Sequence, residues 1–256
     1  MCCPSGMASR HLLSFFVFSI LLFWFVSSSH SLQDDAAAAK YTSQKVTLSL
    51  YYESLCPYCA NFIVNKLVQV FNTDLYTIVN LKMVPWGNSE IQGTNHTITC
   101  QHGENECYLN TIHACAIHAW PVGKHFKFIL CLETKATEIQ DTEAAWRKCS
   151  VDLGLSQKPI DECYNTGRGK QSILEYAAET DALHPPHRFV PWVVINGRAL
   201  EGDYENYNAY VCKAYRGNNV PDACSSYSQM STVKETSNNP GCYAEVTKVP
   251  KMEPAA

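Results

Sequence analysis

The stretch Val46–Phe71, VTLSLYYESLCPYCANFIVNKLVQVF, constrains this chain more than any other. It opens as an alternating, β-prone segment, passes through Cys56-Pro57-Tyr58-Cys59 and continues as a helical pattern. A strand is expected over Lys45–Glu53, with Val46, Leu48 and Leu50 on one face. Pro57 suits the first helical position, where its missing N–H costs nothing and its fixed φ favours the start. Ile63, Leu67, Val70 and Phe71 then recur at helical spacing and supply an apolar stripe to lay on a sheet. Two cysteines separated by two residues at a strand-to-helix junction are what dithiol–disulfide exchange requires.

Position assigns the roles. Cys56 precedes the helix, where unsatisfied N–H groups and the macrodipole favour its thiolate, so it is the expected nucleophile. Cys59, further in, is expected to resolve the mixed disulfide. A thiol of pKa ~8.5 is only about 0.03% thiolate at pH ~5, and lowering the pKa to ~6 gives roughly 10%. That shift corresponds to ~3.4 kcal/mol, within reach of a helix terminus plus hydrogen bonds. Two blander readings compete: a structural bridge, or half of a zinc site. Zinc needs about four ligands. There is no second CxxC, although His102, His113, His118 and His125 are near in sequence.

The chain has 256 residues, of which 13 are cysteines, and that usage turns on compartment. In a reducing cytosol it would point to metal sites, and in a secretory lumen to disulfides. Arg10 and His11 followed by the apolar run Leu12–Val26 and Ser27-Ser28-Ser29 have the form of a secretory signal peptide. An uncleaved signal-anchor is the rival. The run is short for a span of roughly 20 residues, and no second long apolar run follows, so a soluble mature protein is expected. Asn95-His96-Thr97 is an N-glycosylation sequon, with Asn95 the acceptor, and agrees with this route. A net charge of -4 without a basic stripe argues against a nucleic-acid partner.

The expected organisation is residues 1–29 signal, 30–44 leader, 45–225 folded domain and 226–256 tail. Thr77–Val84 reads as a second strand, parallel to the first, with Val79, Leu81 and Met83 on one face. Gly87–Thr99 reads as a loop. A helical insert at about 100–184 follows, with helices near Glu106–Ala119, Gly123–Glu133, Glu138–Leu153, Lys158–Asn165 and Lys170–Ala182. Strand character returns at Phe189–Asn196, Asn196-Gly197 signals a hairpin to Ala199-Leu200, and a last helix covers roughly Tyr204–Tyr215. The tail is rich in Ser, Thr, Asn, Pro and Lys without periodicity, so disorder is expected.

The order β–α–β, helical insert, β-hairpin, α predicts an α/β thioredoxin-like fold, disulfide-rich, with a helical insertion between its two halves. Proline is poorly tolerated inside a central strand, so Pro191 is expected at the strand's first residue. In a thioredoxin-like fold that place holds a cis-proline facing the CxxC. Pro57, Tyr58, Val190 and Pro191 are therefore the expected support of the site.

A second cysteine group runs from Cys100-Gln101-His102-Gly103 through Glu106-Cys107 and Asn110 to Cys115. This C-Q-H-G-x-x-E-C-x-x-N-x-x-x-x-C pattern is the signature of the gamma-interferon-inducible lysosomal thiol reductase family, and YYESLCPYC resembles that family's active site. The resemblance spans about Lys45–Cys224. It implies reduction of protein disulfides in a lysosomal, vacuolar or secreted setting. It also implies that Cys242 belongs to a removable propeptide.

Cys107 and Cys115 are eight residues apart on one predicted helix, too far to bridge each other. Eight structural cysteines, Cys100, Cys107, Cys115, Cys131, Cys149, Cys163, Cys212 and Cys224, could form four bridges in 105 ways. Cys212–Cys224 is the one local pairing the spacing suggests. His102 could assist proton transfer, with a hydrogen-bonded structural role as its rival. Leu50 stands six residues before Cys56, where many thioredoxin-like enzymes bury an acid. That leaves the proton acceptor for Cys59 unassigned, with Glu53 the nearest acid.

The resulting expectation is a thiol–disulfide oxidoreductase that reduces disulfide-containing protein substrates. It would use no cofactor or metal beyond its redox-active cysteine pair and would draw on a small-thiol or protein electron donor. A secretory-pathway isomerase or oxidase is the alternative, disfavoured because the chain ends Glu253-Pro254-Ala255-Ala256 rather than in KDEL. A secreted disulfide-rich binding module is the alternative from another class.

Overall fold

A computed structural model describes residues 45–94, 97–135, 140–227 and 241–243. The expected signal and leader, the acceptor Asn95 and most of the tail lie outside the described residues. In the first half, β1 (Val46–Tyr52) runs into α1 (Pro57–Asn61), a π-helical stretch Phe62–Leu67 and α2 (Gln69–Asn72). The widened turn is marked by Val68 N–H donating to the Ile63 carbonyl at 3.1 Å, five residues back. Ile63, Leu67 and Val70 of the expected stripe stay buried, Phe71 is half-buried, and Phe62, outside the expected stripe, is buried with them.

The second strand, β2 (Val79–Pro85), starts later than the alternation suggested. Asp74–Thr77 instead form a 3-10 turn capped by Thr73, whose hydroxyl accepts from Leu75 N–H at 3.4 Å. The expected loop Gly87–Thr99 contains a small hairpin, β3 (Glu90–Gln92) with β4 (Thr97–Thr99).

The insert is helical as expected, with shifted ends: α3 (Glu104–Ala119), α4 (Val122–Glu133), α5 (Thr142–Asp152), α6 (Lys158–Asn165) and α7 (Arg168–Asp181). α5 starts at Thr142 because Asp141 caps it, its carboxylate accepting from Ala144 N–H at 2.9 Å. Disulfides Cys115–Cys163 and Cys131–Cys149 tie α3 to α6 and α4 to α5.

The expected strand Phe189–Asn196 is two strands. Pro191 has no N–H to add to a ladder, and it separates β5 (Phe189–Val190) from β6 (Trp192–Ile195). Asn196 and Gly197, both at positive φ (48° and 81°), turn the chain into β7 (Arg198–Ala199). The last helix is likewise divided, into a 3-10 segment Glu201–Asn206 and α8 (Tyr207–Ala214). Cys212–Cys224 ties α8 to the short 3-10 segment Asp222–Ser226.

The main sheet has the order β2-β1-β6-β7, with β1 and β2 parallel and the other neighbours antiparallel. β1 is central, and all of its residues but Thr47 are buried. The α3 and α7 helices pack against β2, and α8 against β1 and β6. The expected α/β arrangement with a helical insertion is therefore the one found. The tail departs from its expectation: Cys242–Tyr243 form β8, antiparallel to β5 with Phe189 opposite Tyr243 and Val190 opposite Cys242.

Candidate active site

The carboxyl end of β1 delivers a tight turn, Glu53-Ser54-Leu55, to the first cysteine. Leu55 sits at φ 66°, a left-handed conformation that a branched apolar residue adopts only when its surroundings impose it. Asn110 on α3 does part of that. Its Oδ1 accepts from Ser54 N–H at 2.9 Å and from the Ser54 hydroxyl at 2.8 Å, all of it buried. Cys56 then caps α1 from an extended backbone (φ −76°, ψ 117°), and its sulfur accepts from Cys59 N–H at 3.4 Å. Pro57 follows at the helix start, Tyr58 is 41% exposed, and Cys59 is fully buried.

The two cysteines are not bonded to each other. Cys56 forms a disulfide with Cys242, 186 residues away, and Cys59 is the free cysteine among the described residues. Cys242, expected to be the odd cysteine of a removable tail, is thus the partner of the expected nucleophile. It gets there by strand addition, because β5 ends at Val190 and leaves an edge beside the CxxC. The Val190–Pro191 peptide is cis, as is His184–Pro185, which no sequence signal marked. Two side chains also hold the tail's backbone. Asn88 donates to the Cys242 carbonyl at 3.0 Å, and Gln101 donates to the Tyr243 carbonyl at 2.6 Å.

Buried acids surround this junction. Glu53, fully buried, accepts from Asn88 N–H with Oε1, while Oε2 lies 3.6 Å from His102 Nδ1. Glu106, also fully buried, receives a close contact from His102 Nδ1 and accepts from His102 N–H at 3.0 Å. Burial first, and then the neighbouring Glu106 charge, push the Glu53 carboxyl up to about 8. Burial pushes Glu106 up to about 7.

The Cys59 thiol is raised well above its ordinary value, by burial first and then by the Glu53 charge. A hydrogen bond from the Glu53 backbone offsets part of this. Deeper in, Glu133 is raised well above the carboxylate range by burial, and His113, hydrogen-bonded to Tyr52 at 3.1 Å, is held down to about 3 by the same cause. Below neutral pH these acids are neutral, and the pocket behind Cys59 carries little charge.

Each fixed residue of the second cysteine motif now has a place. Cys100 bonds Cys107, Gln101 grips the tail, Gly103 starts α3 at φ 84°, His102 and Glu106 face Glu53, Asn110 pins Ser54, and Cys115 bonds Cys163. The motif braces the CxxC turn rather than a remote part of the insert. Asn88, Gln101, Glu53 and Glu106 were not singled out as site residues from sequence. Of these only Glu53 carried a usable signal, an acid placed directly after the apolar strand residues Leu50, Tyr51 and Tyr52 that must be neutral or paired if buried, whereas Asn88, Gln101 and Glu106 lie among polar neighbours.

Glu53, His102 and Cys242 each bring one potential ligand atom within 4.8 Å of the others. With Cys242 in a disulfide, its sulfur is not available as a thiolate ligand. No helix among the described residues is long and apolar enough to cross a membrane.

A buried free thiol beneath a helix-capping cysteine, set at the end of a central strand, is the site of a thioredoxin-like thiol–disulfide oxidoreductase. Solved structures of that fold superpose on this chain. Oxidised BdbD from Bacillus subtilis does so with a TM-score of 0.51 at 12% identity, covering 69% of this chain and 90% of that one. Reduced DsbA from Mycobacterium tuberculosis gives 0.50 at 16%, covering 71% and 89%.

Sequence narrows the class. Residues 47–153 match the family described as gamma interferon inducible lysosomal thiol reductase (GILT). The chain is 44% identical over 207 residues to the gamma-interferon-responsive lysosomal thiol protein of Arabidopsis thaliana, covering 79% of this chain and 84% of that protein. It is 39% identical over 188 residues to the gamma-interferon-inducible lysosomal thiol reductase of Mus musculus, covering 72% and 73%. The chain belongs to the GILT family of thiol reductases.

Proposed function

We propose that this protein reduces disulfides in protein substrates with Cys56 as nucleophile and Cys59 as resolving thiol, in an acidic lumen such as a lysosome or vacuole, or after secretion. The observation that carries the reading is the Cys56–Cys242 bond above a free, buried Cys59, the arrangement of a mixed disulfide awaiting resolution. The Cys56 thiolate attacks one substrate sulfur, a Cys56–substrate disulfide forms, and the other substrate sulfur leaves as thiolate. The Cys59 thiolate then attacks the Cys56 sulfur. The Cys56–Cys59 disulfide forms and the second substrate sulfur leaves. Two electrons have passed to the substrate, and two equivalents of an external thiol restore the dithiol.

Glu53 is suited to move the protons. Its carboxyl lies by the sulfur bonded to Cys56, and its backbone N–H reaches Cys59. Protonated in an acidic lumen, it gives its proton to the departing sulfur and regains one from Cys59. The neutral carboxyl pocket supports an acidic working pH, because acid there neither charges Glu53 nor breaks an ion pair it depends on.

The test is reduction of insulin disulfides at pH ~5 with a small thiol donor, using Cys56→Ser and Cys59→Ser. Loss of activity in both, with a trapped substrate adduct in Cys59→Ser alone, is the expected result. Activity that survives Cys56→Ser sinks the reading. Net oxidation of dithiol substrates without reduction at pH ~5 would favour the oxidase alternative.

A further inference from the structure

We propose that β5, Asn88 and Gln101 form a docking groove for an extended, cysteine-bearing peptide held by its backbone, and that Gly241–Tyr243 of the chain itself fills this groove as an internal pseudosubstrate. The inference rests on Cys56 being the nucleophile. Three contacts to the tail are to main chain: the β5–β8 pairing, the Asn88 amide on the Cys242 carbonyl and the Gln101 amide on the Tyr243 carbonyl. Main-chain contacts of this kind bind any sequence that can lie extended, which suits a reductase of varied substrates. The Asn88 amide also donates to Gln101 Oε1 at 2.9 Å, so the two clamp residues hold each other in place.

Side chains add a preference on either side of the reacting cysteine. A Cβ on Gly241 would lie 3.0 Å from Phe189 Cδ2 and 3.2 Å from the Val190 carbonyl, so the position before the cysteine accepts only a small residue. On the other side the Tyr243 ring rests on Phe189 at 5.4 Å between centroids. The groove therefore favours the order small residue, cysteine, aromatic residue. The Cys242 sulfur occupies the place of the substrate sulfur, with Glu53 and His102 ligand atoms within 4.8 Å.

Release of the tail needs no oxidant. The Cys59 thiolate attacks the Cys56 sulfur, Cys56–Cys59 forms, Cys56–Cys242 breaks, and Cys242 leaves as a thiolate that takes up the proton Cys59 lost. An external thiol then reduces Cys56–Cys59 and makes the enzyme competent. Activity thus waits on a reducing supply, and any substrate must displace the tail.

The experiment uses the chain carrying Cys59→Ser and Cys242→Ser, which can neither resolve an adduct nor self-block. Cys56 is offered two disulfides with the same coloured leaving thiolate: 5,5′-dithiobis(2-nitrobenzoate), and the peptide Ala-Gly-Cys-Tyr-Ala carrying one nitrothiobenzoate on its cysteine. The ratio of the two rates should fall roughly three- to tenfold on Gln101→Ala, the worth of one hydrogen bond, and again when the peptide's Gly becomes Val. A ratio that ignores both changes overturns the groove. Failure of Cys56 to react with either disulfide instead overturns its assignment as nucleophile.

For the tail, a non-reducing peptide map of the otherwise unaltered protein should show Cys56 linked to Cys242, and Cys242→Ser should abolish the lag before reduction begins. Cys56 linked only to Cys59, with the lag intact in Cys242→Ser, would overturn the pseudosubstrate.

Discussion

Glu53 Oε2 lies 3.6 Å from His102 Nδ1, joining the turn before the CxxC to the second cysteine motif. The histidine in turn contacts Glu106, so two carboxyls share one imidazole at the edge of the thiol pocket. Together they set a pH dependence that can be worked out in sign. The Glu53 and Glu106 carboxyls titrate higher in the folded protein than in the unfolded chain, so the folded state holds more protons between their ordinary value and about 8. Stability therefore falls as pH rises through that range, by at most about 1.4 kcal/mol per pH unit for each extra proton held.

Buried His113, held down to about 3, and His125 and His187, also lowered, act the other way, removing stability as pH falls below about 6.5. The clean window is pH 6.5–8. Thermal denaturation should show wild type losing stability across it and Glu53→Gln losing less. Parallel curves for the two proteins would show that Glu53 does not hold the proton.

Gly87 is expected to be intolerant of any side chain. Its φ is 58°, and a Cβ there would lie 2.2 Å from Glu53 Cγ. Gly87→Ala must therefore push the Glu53 side chain, and with it the carboxyl facing His102. A cost of about 2 kcal/mol or more is expected from backbone strain plus the displaced buried acid. Reductase activity should fall with it, in substrate affinity as well as in turnover, since Asn88 of the groove is the next residue and its N–H is held by the Glu53 carboxylate. Urea denaturation and steady-state kinetics on the same preparation would separate the two effects.

Asn110→Ala should act through the turn. The substitution leaves the buried Ser54 N–H without its acceptor, while the hydroxyl keeps the Glu106 carbonyl at 3.2 Å. Leaving such groups unsatisfied costs about 1–3 kcal/mol. Leu55 at φ 66° then loses part of what imposes its conformation, so Cys56 should be less well placed. Alkylation of reduced Cys56 should slow or lose its low-pH component. A variant with wild-type stability and alkylation rate would remove Asn110 from the site.

Why some of this was legible in sequence and some was not follows from the range of the forces. The strand–CPYC–helix junction and the Asn196-Gly197 turn are local, written in alternation, helical spacing and left-handed turn residues, and they could be read directly. The break at Pro191 was half legible: proline announces a lost ladder bond, but not that Phe189–Val190 would pair elsewhere. The partner of Cys56 was not legible at all. It lies 186 residues away, in a tail whose composition argued for disorder, and three residues docked on a sheet edge leave no periodicity. Glu53 was visible as an acid, but its burial depends on α3 and the Gly87 turn closing over it, contacts that spacing along the chain does not encode.

The disulfides of the insert give a final, graded expectation. Cys115–Cys163 closes a loop of 48 residues between α3 and α6, and Cys131–Cys149 one of 18 between α4 and α5. The loop-entropy model assigns about 4 kcal/mol to the first and about 3 kcal/mol to the second. Paired alanine substitution should therefore cost more at Cys115 and Cys163. The positions sharpen the contrast: Cys115 shares α3 with Glu106 and Asn110, which hold the CxxC turn, whereas Cys131–Cys149 joins α4 to α5, which carry neither. Losing Cys115–Cys163 should lower reductase activity as well as melting temperature, while losing Cys131–Cys149 should lower melting temperature alone. Equal activity loss from both would mean that the insert supports the site as a whole and not through α3.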